Sequence, residues 1–221
     1  MSYFTSDFIA FFEELKDHNH KEWFDANRKR YEQSVKKPFA AFVDEMIGRI
    51  NHHDPEVRIE AKDAVMRINR DIRFSADKTP YNLHVGAIIS KTGRKDKSVP
   101  GIFFKLTLEG IEIYGGAHGI DKDQINKVRT AIAAEPNQFQ ALIEAPNFVK
   151  KFGEIHGEKN KRLPKEFEEI ANDQPLIANK SFYYFTSIDK KHILSDDLAD
   201  IIMEYWLAAQ PIKDFLANAL K

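Results

Sequence analysis

Cysteine is missing from all 221 residues, which removes disulfides, thiol nucleophiles and cysteine-based zinc or iron–sulfur sites. No apolar run approaches the roughly 18–20 residues that a membrane-spanning helix requires, so no membrane partner is expected. The opening stretch, MSYFTSDFIAFFEELKD, has no basic leader and carries acids among its apolar residues, unlike a secretory signal. A soluble, cytoplasmic protein is the expectation. Charge of one sign is also lacking: 33 Lys+Arg face 34 Asp+Glu. With no whole-molecule field, nucleic acid is disfavoured as a partner, and any polyanion would have to find a local patch. Aromatic bulk is what the chain has in quantity. Its 17 phenylalanines point to a dense core rather than disorder.

Catalytic signatures are sparse as well. There is no G-x-S-x-G, and no serine stands beside a histidine in a recognisable context. The glycines of GGAHG (residues 115–119) lack both the Gly-Lys-Ser/Thr ending of a P-loop and the spacing of a dinucleotide fingerprint, so they read as a tight turn. None of the eight histidines shows HExxH spacing. His18, His20, His52 and His53 fall at helix ends, where they meet terminal carbonyls. The basic stretch KKFGEIHGEKNKRLPKEF carries interspersed acids and no stacking platform for RNA. No metal and no cofactor is expected.

The apolar pattern changes period along the chain. Phe8, Ile9, Phe12 and Leu15 recur at helical spacing after Thr5 or Ser6, and NHKE (residues 19–22) has capping-box form for a second helix. Pro38 suits the first turn of a third, with Phe39, Phe42, Val43, Met46, Ile47 and Ile50 on its buried side. From Val65 the pattern alternates. Leu83 to Ile89 is a strand candidate, and Ile102 to Leu108 with Ile111 to Tyr114 reads as a hairpin in which Gly110 supplies positive φ. Asp121 with Gln124 opens another helix, Pro136 begins one more, SFYYFTSI (181–188) is strand-like, Ser195 caps a closing helix and Pro211 starts the last. Helices at the ends and strands in the middle favour one α+β domain over residues 1–221. Its central sheet is expected to be largely antiparallel, with helices from the N- and C-terminal parts packed on it.

The stretch RINRDIRFSADKTPY (67–81) holds three arginines, an aspartate pair and a lysine among isoleucines and phenylalanine. As a strand over 67–74 it places Arg67, Asn69, Asp71 and Arg73 on one face, with Asp71 bridging the two guanidiniums. Ile68, Arg70, Ile72 and Phe74 then share the other face, where Arg70 needs a buried partner or a water-filled cleft. Pro80 constrains the turn carrying Lys78 and Tyr81. Guanidiniums, an ammonium and a phenol at one strand end form a candidate cradle for carboxylate or phosphate. A structural ion network explains the same residues, and spacing does not separate the two. On the second helix Phe24, Arg28, Tyr31 and Val35 share a stripe, with Trp23, Asn27 and Arg30 beside it. Arg28 either walls the same cleft or packs its stem and sends its head to solvent.

The pattern Arg67-x-x-Arg70-Asp71-x-Arg73-Phe74-x-x-x-Lys78-x-Pro80-Tyr81 resembles the signature of a widespread bacterial family of uncharacterised function. The resemblance extends to NHKEWFDANRKRYE, to the hairpin PGIFFKL and to the Asp121 helix, so it covers most of the chain. It supports the fold and implies no catalytic role.

These readings favour an α+β domain that binds, and processes if it is an enzyme, a small phosphate- or carboxylate-bearing ligand. Arg67, Arg73 and Lys78 would neutralise the anion, Arg70 and Asp71 orient it, Tyr81 supply a hydroxyl and Arg28 form a wall. The alternative is a protein or nucleic-acid interaction module in which the motif is purely structural. Neither reading assigns an oligomeric state.

Overall fold

Phenylalanines at three- and four-residue spacing draw the first helices together. In the computed structural model, which describes residues 2–221, α1 (Ser6–Asp17) buries Phe8, Phe11, Phe12 and Leu15. Helix α2 (Lys21–Ala26) follows and buries Phe24. Its cap is His20, whose ring accepts the Trp23 N–H, and not the Asn19 that the capping-box spacing suggests. A short α3 (Arg28–Arg30) runs through a π-helical stretch, Tyr31–Lys36, into α4 (Lys37–His53), with helical backbone at each junction. Pro38, in the first turn of α4, has no N–H to give, and the widened turn before it relieves its ring's crowding of the preceding carbonyls. All six apolar residues expected on the inner face of α4 are buried. A brief α5 (Ala61–Ala64) carries a capping box of Glu60 and Asp63.

The sheet has four antiparallel strands in the order β1-β2-β3-β4. They are β1 (His84–Ile89), β2 (Gly101–Thr107), β3 (Gly110–Ala117) and β4 (Phe182–Asp189). The fold is α+β, as the order of periodicities implies. Between β2 and β3 the Thr107 hydroxyl accepts the N–H groups of Glu109 and Gly110 and donates to the Gly110 carbonyl. Gly110 does not take the positive φ expected of it. It is small because a Cβ there would collide with the Ile188 carbonyl. Gly116 does have positive φ, at 98°, and lies against the Phe182 carbonyl.

After β3 come α6 (Lys122–Ala134), opened by the expected Asp121–Gln124 box, α7 (Pro136–Ile143) and α8 (Pro146–Phe152). The last helix, α9 (Leu198–Ala219), is one element with Pro211 inside it, where two helices were expected. Proline ends a helix only when nothing else holds the turn, and Ile212 and Leu216 beyond it are buried. No helix among the described residues is long and apolar enough to cross a membrane.

The chain gathers into two compact units. The first comprises Met1–Arg94, Phe103–Ile113 and Ser187–Met203. Its core joins α1 and α4 to the sheet through Phe4, Phe8, Phe39, Phe42 and Phe104, with Phe42 and Phe104 ring centroids 5.8 Å apart. The second comprises Lys95–Ile102, Tyr114–Thr186 and Glu204–Lys221. There Phe148 and Phe152 pack on Tyr184, whose hydroxyl burial pushes far above the usual phenol range. Arg129 is buried in this unit with no carboxylate partner among the described residues. Its guanidinium donates instead to the carbonyls of Ile177 and Asn179, tying α6 to the turn at Pro175–Ala178.

Candidate functional site

The arginine motif lies in the first unit and is not a strand. Only isolated bridges, Val65 with Ala87 and Asn69 with Tyr81, align it with the chain that returns toward β1. The Met66 N–H donates to the Gly86 carbonyl, Arg70 N–H to Pro80 and Asn82 N–H to Ile68. Beyond Arg70 the aspartates take over the backbone. Asp71 accepts the Arg73 N–H at 3.3 Å and Asp77 the Thr79 N–H at 2.9 Å. Short polar side chains that bond to the amide two residues on compete with a strand ladder, and here they win.

The same carboxylates pair with two of the motif's four cations. Arg70, its side chain 24% exposed, pairs with Asp77 at 2.5 Å and also donates to the Thr79 hydroxyl and carbonyl. Arg73 meets Asp71 with two N–H donors, at 2.9 and 2.6 Å, in the open. Lys78 donates to the Ile72 carbonyl at 2.9 Å. Asp71 therefore does not bridge Arg67 and Arg73 in a half-buried row. It binds Arg73 alone, and Arg67 reaches it only through weaker, longer-range attraction. The Thr79 N–H, then Arg70, then the Thr79 hydroxyl lower the Asp77 carboxyl to about 2. Phe74 stands at the tip, 96% exposed.

Tyr81 closes the loop against the helices. Its ring stacks on Phe24 with centroids 4.0 Å apart, and its backbone is held at both polar atoms by the Asn19 amide. The ring is buried, so Tyr81 serves as an anchor. Arg28 packs over Phe24 and pairs with Asp25 at 2.5 Å, its head largely in solvent.

Arg67 differs from the rest of the motif. Its exposed guanidinium makes no hydrogen bond and no ion pair among the described residues; only its carbonyl is engaged, by Asn82. It stands between two depressions. A cleft of about 470 Å³ opens on the helix side, and its lining includes Arg28, Lys36, Lys62, Arg67 and Arg94. Glu32 is the one acid of that lining and is paired with Lys36 at 2.7 Å. Phe24, Tyr31, Val65 and Ile68 supply the apolar part, and burial followed by Glu32 pushes the Tyr31 hydroxyl up to about 12. A second cavity of about 400 Å³ lies toward the sheet, bounded by Arg67, Asn69, Asn82, His84 and Phe103.

Residues 7–215 match the family described as conserved hypothetical protein (DUF2461). The chain belongs to that family. No curated protein and no solved structure matches it. In this DUF2461 member Arg67, Arg70 and Asp71 line the sheet-side cavity, Arg28 and Arg67 line the helix-side cleft, Tyr81 lines neither, and Arg73 and Lys78 have donors engaged within the loop. Sequence spacing overlooked Arg94 and His84. Arg94 lies within the polar TGRKDKS stretch (92–98), and its guanidinium donates to the Lys62 carbonyl at 3.2 Å. His84 carries no local signature, since its place depends on pairing between β1 and the sheet.

Proposed function

We propose that the helix-side cleft binds a small organic anion bearing a phosphate or carboxylate, in the cytoplasm. The supporting observation is that Arg67 and Arg94, alone among the arginines lining it, have no carboxylate partner among the described residues, and the same lining includes Phe24, Val65 and Ile68. Two guanidiniums left without counterions beside aromatic and aliphatic surface suit a ligand with an anionic end and an apolar body. Arg28 is a flexible rim, able to exchange Asp25 for ligand at little cost because that pair is largely solvated. Arg70, Arg73 and Lys78 then shape the loop that presents Arg67. Nearly balanced total charge favours a small ligand over a polyanion.

A thermal-shift screen of phosphorylated metabolites, nucleotides and carboxylic acids at matched ionic strength tests this reading. A ligand at a hundredfold excess over its Kd stabilises by about 2.7 kcal/mol. For a chain of this size that raises the melting temperature by roughly 5–11 °C. Arg67→Ala and Arg94→Ala should each remove most of the shift, while Arg73→Ala should retain it. A shift that survives Arg67→Ala undiminished places the anion elsewhere.

A further inference from the structure

The sheet-side cavity brings together two polar groups that the fold leaves without partners. His84 is the first residue of β1, whose alternation sends Val85, Ala87 and Ile89 into the core and His84 to the opposite face. Its imidazole is half-buried, and neither ring nitrogen has a hydrogen-bond partner among the described residues. The Arg67 guanidinium, equally unpartnered, lines the same cavity of about 400 Å³. The Asn69 side chain makes no hydrogen bond among the described residues, and Asn82 spends its N–H donors on the Ile68 and Arg67 carbonyls. Gly86, next along that face, keeps the wall thin: a Cβ would press on the Phe103 ring and the Phe104 carbonyl.

Charge around His84 explains why it waits neutral. Burial and then Lys105 of β2 lower its affinity for a proton, against the opposing pull of Glu112 of β3. Lys105 and Glu112 pair with each other at 2.6 Å, so Glu112 is already engaged. From the loop, Arg67 and Arg70 add positive charge to the cavity, and Asp71 is bound to Arg73. Burial and the surrounding cations thus disfavour the imidazolium, and an anion bound beside the ring would favour it.

We propose that the sheet-side cavity is an oxyanion subsite, in which Arg67 and a His84 that gains a proton on binding together hold a phosphate, sulfate or carboxylate group. This goes beyond the proposed function, at a second cavity that shares Arg67 with the helix-side cleft. It makes the ligand one whose capture takes up a proton, so affinity strengthens as pH falls. The sign follows from linkage: the bound anion favours imidazolium, and between the free and bound titration points each anion brings up to one proton with it.

Sulfate is the probe, because it stays dianionic throughout the range in which histidine titrates. Its affinity, measured by calorimetric titration from about pH 8 to about pH 5.5, should rise by up to about tenfold per pH unit within the linkage window. His84→Gln should flatten that dependence, and Arg94→Ala should leave it. In the unsubstituted protein, NMR titration of carbon-labelled histidine should show the His84 transition moving to higher pH with sulfate. That readout does not depend on any variant folding. Arg67→Ala should abolish the movement. Sulfate binding that is pH-independent, or that leaves the His84 signals unmoved, overturns the subsite, while the helix-side reading is judged by its own Arg94→Ala result. A His84 response that persists in Arg67→Ala overturns the shared grip.

Discussion

Asp77 shows how one carboxylate converts a basic loop into a fixed one. It accepts the Thr79 N–H and hydroxyl and the Arg70 guanidinium, so three donors converge on a side chain that remains in solvent. With its carboxyl lowered to about 2, the sign of its pH dependence is determined. A group depressed in the folded state contributes its full stabilisation above the usual carboxylate range and loses it as pH falls through the folded value. The loop should therefore hold its order at pH 5 and loosen between about pH 4 and pH 2. Amide hydrogen exchange at Arg70, Thr79 and Asn82 reads that loosening locally. Asp77→Asn should give faster exchange at those amides even at neutral pH; unchanged exchange would mean that Arg70 and Pro80 hold the loop alone. By contrast, Asp71→Asn should leave the melting temperature nearly unaltered, because the Asp71–Arg73 pair lies in solvent and such pairs contribute little.

At the scale of elements, what was legible depended on how local the cause was. Helices α1 and α4 could be read from apolar spacing and α6 from its capping box, because those signals act within a few residues, although the Thr5 expected to cap α1 makes no capping bond. The hairpin of β2 and β3 was legible for the same reason, though the role of Gly110 was not, since the carbonyl it avoids belongs to Ile188. The arginine segment failed as a strand because Asp71 and Asp77 bond to nearby amides, a competition that alternating hydrophobicity does not register. Of the residues expected to form the cradle, Arg67 and Arg28 line the helix-side cleft, while Arg73 and Lys78 are engaged inside their own loop. Asn19 is the clearest case of a distant cause. Its place in NHKE suggests a helix cap, yet its amide reaches across 62 positions to both backbone polar atoms of Tyr81. That clamp, with the Phe24–Tyr81 stack, seats the loop on α2. Asn19→Ala removes both bonds and should cost about 1–3 kcal/mol in chemical denaturation. It should also weaken ligand binding at Arg67, because the loop that carries Arg67 loses its anchor. A variant of full stability and unchanged affinity would assign the seating to the aromatic stack alone.

The whole molecule poses a question about cooperativity. Its two compact units divide mostly within elements of structure. One crossing, between Arg94 and Lys95, lies in the connection from β1 to β2, and the other four fall inside β2, between Ile102 and Phe103, inside β3, between Ile113 and Tyr114, inside β4, between Thr186 and Ser187, and inside α9, between Met203 and Glu204. A strand or helix cannot keep half its hydrogen bonds while the other half unfolds without exposing frayed backbone polar groups, which costs free energy at every such break. Four elements shared in this way should lock the units into one transition. Average enthalpies of about 0.7 kcal/mol per residue near 60 °C imply an unfolding enthalpy of roughly 150 kcal/mol for the chain. Differential scanning calorimetry should accordingly give a single peak whose van 't Hoff enthalpy matches the calorimetric value. Independent units would instead yield a van 't Hoff enthalpy near half of the calorimetric one, or two resolved peaks. A ligand held at Arg67, in the first unit, then separates the cases further. In a single cooperative molecule it raises the one transition and so protects amides of the second unit as well, including those around Arg129 and Tyr184. Were the units independent, only the transition of the first would move, and hydrogen exchange in α6 and α8 would not change.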